Sequence, residues 1–148
     1  MKQTTMLTTA SLLSILFMTF HLADDILFGM ASPRFVNLFA VLVFVIWLYG
    51  TVVLAERRAG YIIILLGSLL GLVVPVVHMK GSHGLVGGEI GKSTHAFFFV
   101  WTLLALGVTA MFSIILSVRA LLNLPWRRSR RASTAVYARP AEMDVTQR

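Results

Sequence analysis

Hydrophobic residues fall into four long runs, and most charged residues lie between and after them. A helix needs about 20 apolar residues to cross the hydrocarbon core of a bilayer. The runs contain 18, 21, 17 and 23 residues and cover Met6–Ala23, Phe35–Ala55, Tyr61–Val77 and Ala96–Val118. This pattern predicts an all-α integral membrane four-helix bundle of up-down-up-down topology, with spans at about 6–26, 35–55, 61–78 and 95–120.

Residues that start and stop helices lie at the ends of these runs. Ser32-Pro33 and Ser93-Thr94 can begin the second and fourth helices, and Asn123-Leu124-Pro125 can end the last one. From Ser129 the chain is polar and Arg-rich, without apolar periodicity. We therefore expect a transmembrane domain over residues 1–124 and a basic, disordered tail over residues 125–148.

The first run also resembles a secretory signal peptide, because Lys2 precedes it and Asp24-Asp25 follow Ala23. Its apolar stretch is longer than the core of such a peptide, and His21 fits a cleavage site poorly. We expect the first helix to be retained, and cleavage after it is the alternative.

Lysine and arginine placement predicts the orientation. Four crossings put the N-terminus, the hairpin at Arg57-Arg58 and the C-terminus on one side, which carries ten of the thirteen basic residues. Cytoplasmic loops of membrane proteins are enriched in these residues, so both termini are expected in the cytoplasm, with a bacterial inner membrane as the location. The Arg127–Arg131 cluster can attract anionic lipid. No nucleic-acid module accompanies it, so we expect no nucleic-acid partner.

Composition supports a membrane protein and narrows its chemistry. Hydrophobic residues make up 57% of the chain and charged residues 13%, whereas soluble domains carry about 25% charged residues. There are no cysteines, which excludes disulfides, thiolate metal sites and thiol redox chemistry on this chain.

Candidate chemistry is concentrated on the predicted outer side. All four histidines and three of the six acidic residues fall there. His21 is followed three and four residues later by Asp24 and Asp25, so one helix face can present His21 with either carboxylate. The others are His78 at the end of the third helix, His83 and Glu89 in a glycine-rich loop, and His95 at the start of the fourth helix.

Helical spacing indicates where these side chains point. In the first helix a stripe with spacings of three and four contains Ser11, Ser14, Met18, His21 and Asp25. In the third, Ser68, Gly71, Pro75 and His78 repeat that spacing; in the fourth, His95, Thr102 and Thr109 are seven residues apart and Ser113 follows. Small and polar residues line helix contacts in membranes. His21, His78 and His95 are therefore predicted to point into the bundle.

Ionisable groups at membrane depth are costly and are commonly functional. Imidazoles with carboxylates can bind a transition metal, and two imidazoles can hold a haem. The leading hypothesis is a binding module for a metal ion or haem, with His21, Asp24, Asp25, His78 and His95 as candidate ligands and His83 and Glu89 as weaker ones.

Other interpretations compete with this hypothesis. The histidines can be hydrated residues near the interface, with Asp24-Asp25 marking a helix end. The chain can instead be a structural or accessory subunit of a larger membrane complex, a homo-oligomer, or a small proton-coupled carrier. No recognisable enzyme motif is present, so the sequence favours a non-enzymatic role.

Overall fold

The computed structural model describes residues 2–27, 34–78 and 96–143, with side chains over 3–27, 37–78 and 96–123, and over these residues the regular secondary structure is all α-helix. Four helices follow one another: α1 (Lys2–Leu27), α2 (Arg34–Val52), α3 (Arg58–His78) and α4 (Ala96–Met143). For the described part of the chain, the predicted all-α class and the number of helices are therefore confirmed.

Three of these helices are long and apolar enough to cross a membrane, which indicates a membrane protein. They cover Gln3–Leu27, Arg58–His78 and Ala96–Asn123. In α2 the described apolar stretch is shorter, Asn37–Val52. A membrane crossing by α2 stays a prediction, and so do the predicted sides of the two termini.

Two helix boundaries differ clearly from the predicted ones. The predicted spans put the reversal between α2 and α3 at 56–60, whereas it lies at 53–57, because α2 ends at Val52 and α3 begins at Arg58. The last helix does not stop before Pro125 but continues to Met143, through a segment rich in Ala and Arg, which both favour helix. The predicted division into a domain over 1–124 and a tail over 125–148 stays a prediction.

The α2–α3 hairpin is closed by backbone contacts. The Arg57 amide donates a hydrogen bond of 3.0 Å to the Leu54 carbonyl, and Glu56 has a positive φ of 66°. A Cβ on Gly60 would collide with the Leu54 carbonyl. Glycine at position 60 therefore lets the start of α3 lie directly against the end of α2.

Helices α1, α3 and α4 contact one another, and α2 packs against α1 and α3. One apolar cluster joins the three long helices through Leu7, Tyr61, Ile64 and Leu116. A second lies at the start of α4, where Phe99 and Leu103 pack with Val74 of α3. Large apolar side chains also cover the outer surface of the helices, as expected of helices that face lipid.

Trp47 of α2 contacts both α1 and α3. Its indole lies against α3 at Gly67, where a Cβ would come within 2.6 Å of Trp47 Cε2. Its Nε1 donates a hydrogen bond of 3.0 Å to the Ser11 hydroxyl of α1, and Ser11 and Thr51 hydroxyls share a bond of 2.8 Å. These contacts connect the polar stripe of α1 to α2.

Candidate metal centre

The stripe of α1 faces the interior, as its spacing predicted. Ser11, Ser14, Met18 and His21 are buried, with His21 only 3% exposed, and Asp25 is partly buried one turn further on. Because Cβ atoms four residues apart lie on one helix face, this register aims His21 and Asp25 at the same point between α1 and α3.

His78 reaches that point from the last residue of α3. Its Nδ1 lies 2.9 Å from the Val74 carbonyl oxygen. A carbonyl only accepts hydrogen bonds, so Nδ1 carries the proton and donates it. This bond fixes the ring and directs Nε2 towards α1. Metal-binding histidines are usually oriented in this way, with the second ring nitrogen held by a carbonyl or carboxylate.

One carboxylate oxygen lies between the two imidazoles. Asp25 Oδ2 is 3.6 Å from His21 Nε2 and 3.7 Å from His78 Nε2. Donor atoms of all three residues lie within 4.8 Å of one another. Ligands about 2.0–2.1 Å from a tetrahedral zinc ion lie about 3.4 Å apart. The two shorter distances thus approach those of a metal site, and side-chain rotation can close the remaining gap.

The electrostatics of this group call for a positive charge. With its proton on Nδ1, a neutral His78 presents the Nε2 lone pair to the Asp25 carboxylate, and two electron-rich atoms repel. Neither ring nitrogen of His21 has a hydrogen-bond partner among the described residues, although the ring is buried. A proton or a metal ion between the three side chains would satisfy the Nε2 atoms of both histidines and the Asp25 carboxylate, since unpaired buried polar groups are costly.

Phe99 of α4 closes one side of the group. Its ring centre lies 5.1 Å from that of His21 and 5.9 Å from that of His78. The two imidazoles meet edge to face at 4.6 Å and 88°. The sequence pattern did not single out Phe99, although its spacing of three residues from Thr102 places it on the inward face of α4.

The other predicted ligands have different positions. Asp24 is buried, but its carboxylate does not belong to the donor group found in the described part of the chain. Adjacent positions in a helix point about 100° apart, so Asp24 and Asp25 face different surroundings. The predicted ligands His83, Glu89 and His95 lie outside the described residues.

The group has the chemistry of a metal site: His21, Asp25 and His78 could together hold a metal ion. Two imidazoles and one carboxylate are a donor set that zinc, iron, copper and manganese accept. No protein-family model matches the chain, and no curated protein or solved structure is significantly similar to it.

Proposed function

We propose that this protein is a small multi-pass membrane protein that binds a transition-metal ion through His21, Asp25 and His78. The observation that carries the proposal is the position of Asp25 Oδ2, 3.6 and 3.7 Å from the Nε2 atoms of two histidines on different helices. A cation at this point would be bound by all three side chains and would remove the repulsion between them.

The donor set favours some metals over others. Imidazole suits zinc, copper, iron and nickel, whereas magnesium and calcium prefer all-oxygen sites. With two nitrogen donors and one oxygen donor, the site should therefore take a first-row transition ion in preference to magnesium or calcium. Thiolates are absent from the chain, so the softest ions gain no sulfur ligand here.

The spacing of the imidazoles supports a metal ion rather than a haem. Two axial imidazoles lie on opposite faces of a haem, each with its nitrogen about 2 Å from the iron, so their ring centres are more than about 6 Å apart. The ring centres of His21 and His78 are 4.6 Å apart and perpendicular. A porphyrin between them would require α1 and α3 to separate.

The proposal also includes the membrane arrangement: four crossings with alternating directions, both termini in the cytoplasm and the metal site in the outer leaflet. Two sets of contacts support these directions, with α1 and α3 parallel to each other and α4 antiparallel to both. Leu7, Tyr61 and Leu116 meet near one end, and His21, His78 and Phe99 meet at the other. The basic residues at the first end support its cytoplasmic side.

Metal content by inductively coupled plasma mass spectrometry tests the binding function. Protein purified without a polyhistidine tag should carry about one transition-metal ion per chain, since one site holds one ion. His21→Ala and His78→Ala should each lose it. Thr19→Ala is the matched control, because Thr19 is exposed on α1 and its hydroxyl donates a hydrogen bond to the Ile15 carbonyl of the same helix. Equal metal content in all four proteins would refute the proposal.

Three other roles stay predictions: a structural or accessory subunit, a homo-oligomer and a proton-coupled carrier. Binding of anionic lipid at Arg127–Arg131 is likewise a prediction. The contacts of the described residues favour none of these roles over the others, whereas the proximity of His21, Asp25 and His78 supports metal binding.

A further inference from the structure

Helix α4 supplies none of the three ligands, yet one of its residues touches two of them. The Phe99 ring contacts the imidazoles of His21 in α1 and His78 in α3, with ring centres 5.1 and 5.9 Å away. Phe99 is 2% exposed, whereas its neighbour Phe98 is 47% exposed and contacts Phe20. The two adjacent phenylalanines therefore have different surroundings.

A second contact connects Phe99 to His78 through α3. Phe99 and Leu103 form a buried apolar cluster, and Val74 packs against it. The carbonyl of the same Val74 accepts the hydrogen bond from His78 Nδ1. The packing of α4 on α3 thus holds both the backbone group that orients His78 and the apolar wall against which its ring rests.

We infer that Phe99 couples the metal site to helix α4, as a positioning residue for both imidazoles. This inference rests on the proposed metal binding. Coupling between two parts of a protein is reciprocal. Phe99 keeps the rings in the orientation that an ion requires, and a bound ion in turn strengthens the packing of α4 against α3.

The physical basis is restriction of the imidazole rotamers. A metal ion requires its ligands within a few tenths of an ångström of fixed positions. His21 has no hydrogen-bond partner among the described residues that would orient its ring, so the ring is held by packing against Phe99 and His78 and by the approach of Asp25 Oδ2 at 3.6 Å. A smaller or more flexible residue at position 99 would leave space beside both rings and permit other rotamers.

The first measurement is the metal affinity of full-length protein in detergent micelles, titrated with Zn²⁺ against a chelator of known affinity. Phe99→Leu and Phe99→Met should bind Zn²⁺ about 10- to 100-fold more weakly, the usual effect of losing a group that orients a metal ligand. Phe98→Leu should bind as the wild type does. Leu103→Val disturbs the same apolar cluster without removing the aromatic ring, and it should retain most of the affinity.

The second measurement is hydrogen exchange along α4, with every protein saturated with Zn²⁺ so that occupancy is equal. In the wild type and Phe98→Leu, added Zn²⁺ should slow amide exchange between Val100 and Leu106. In Phe99→Leu and Phe99→Met it should slow exchange much less, because the contact that transmits the effect is gone.

The outcomes separate this inference from the proposed function. A wild-type protein that binds no metal would refute the metal site and the coupling together. If the wild type binds Zn²⁺ and both Phe99 variants match its affinity and its protection of α4, the coupling alone would be overturned. An affinity loss in Leu103→Val as large as that in Phe99→Leu would show that general packing, and not the ring contact, positions the imidazoles.

Discussion

Asp25 Oδ2 in α1 lies 3.7 Å from His78 Nε2 in α3, and this pair joins two helices that are not neighbours in the chain. Helix α2 lies between them in sequence. His21 then adds a second imidazole to the same oxygen from one turn earlier in α1. The geometry distinguishes Asp25 from the adjacent Asp24 and leads to the first prediction.

We expect Asp25→Asn to lower Zn²⁺ affinity by at least about 100-fold, because the ligand oxygen would lose its negative charge. Each factor of ten corresponds to about 1.4 kcal/mol of binding free energy. Asp24→Asn is the matched variant, with the same chemical change one residue away, and it should retain affinity within a few-fold. Competitive titration measures both. Equal losses in the two variants would assign the ligand role to both carboxylates.

Metal binding should depend on pH. Histidine binds metal only when neutral, so protons compete with the ion. The affinity of the wild type for Zn²⁺ should therefore fall as pH is lowered through about 8 to 5, the range over which histidine commonly titrates. The Zn²⁺ dissociation constant, measured at fixed ionic strength at several pH values, checks this. An affinity that stays constant across that range would contradict competition between protons and the ion at this site.

Gly67→Ala should destabilise the protein. A Cβ at this position would lie 2.6 Å from Trp47 Cε2, and overpacking of this kind typically costs about 1–3 kcal/mol of unfolding free energy. Gly107→Ala is the control, because its Cβ would meet only Pro75 Cγ at an ordinary 3.6 Å. That variant should be neutral or slightly stabilising, since alanine is the better helix former. Thermal unfolding in detergent compares them, and equal midpoints would contradict the close approach of α2 and α3.

Trp47→Phe should lower the unfolding free energy by about 0.6 kcal/mol and by no more than about 1.7 kcal/mol, the mean and the maximum measured for hydrogen bonds between membrane helices. The change keeps an aromatic ring but removes the Nε1 donor that bonds Ser11. Trp101→Phe makes the same change at a side chain that is 58% exposed; its effect should be within about 0.5 kcal/mol. If both variants unfold at the same denaturant concentration, the bond to Ser11 contributes little.

Much of the site could be predicted from periodicity in single helices. The spacing of Ser11, Ser14, Met18 and His21 predicts that they share one face of α1, and all four are buried. The same reasoning placed Ser68 and Gly71 in the interior of α3. Periodicity could not choose between Asp24 and Asp25, because spacings of three and four residues both keep a carboxylate near His21.

The burial of two aromatic residues could not be predicted from the local sequence pattern. Trp47 and Phe99 lie within apolar runs that contain many exposed side chains, and hydropathy assigns them no special role. Trp47 is buried because Gly67 admits its ring and Ser11 accepts its hydrogen bond. Phe99 is buried because the two histidines and Val74 surround it. Both positions depend on partners in other helices.

The amino-acid sequence by itself determined the helical class, the apolar surface and the placement of His21, Asp25 and His78 near helix ends. These properties follow from run length and helical period, which are local. Tertiary structure decided that Asp25, not Asp24, meets both imidazoles, and that Phe99 packs against them. Those choices depend on the rotation and depth of each helix against its neighbours, and these are set by the summed packing of many side chains, such as Trp47 against Gly67, that lie far apart in the chain.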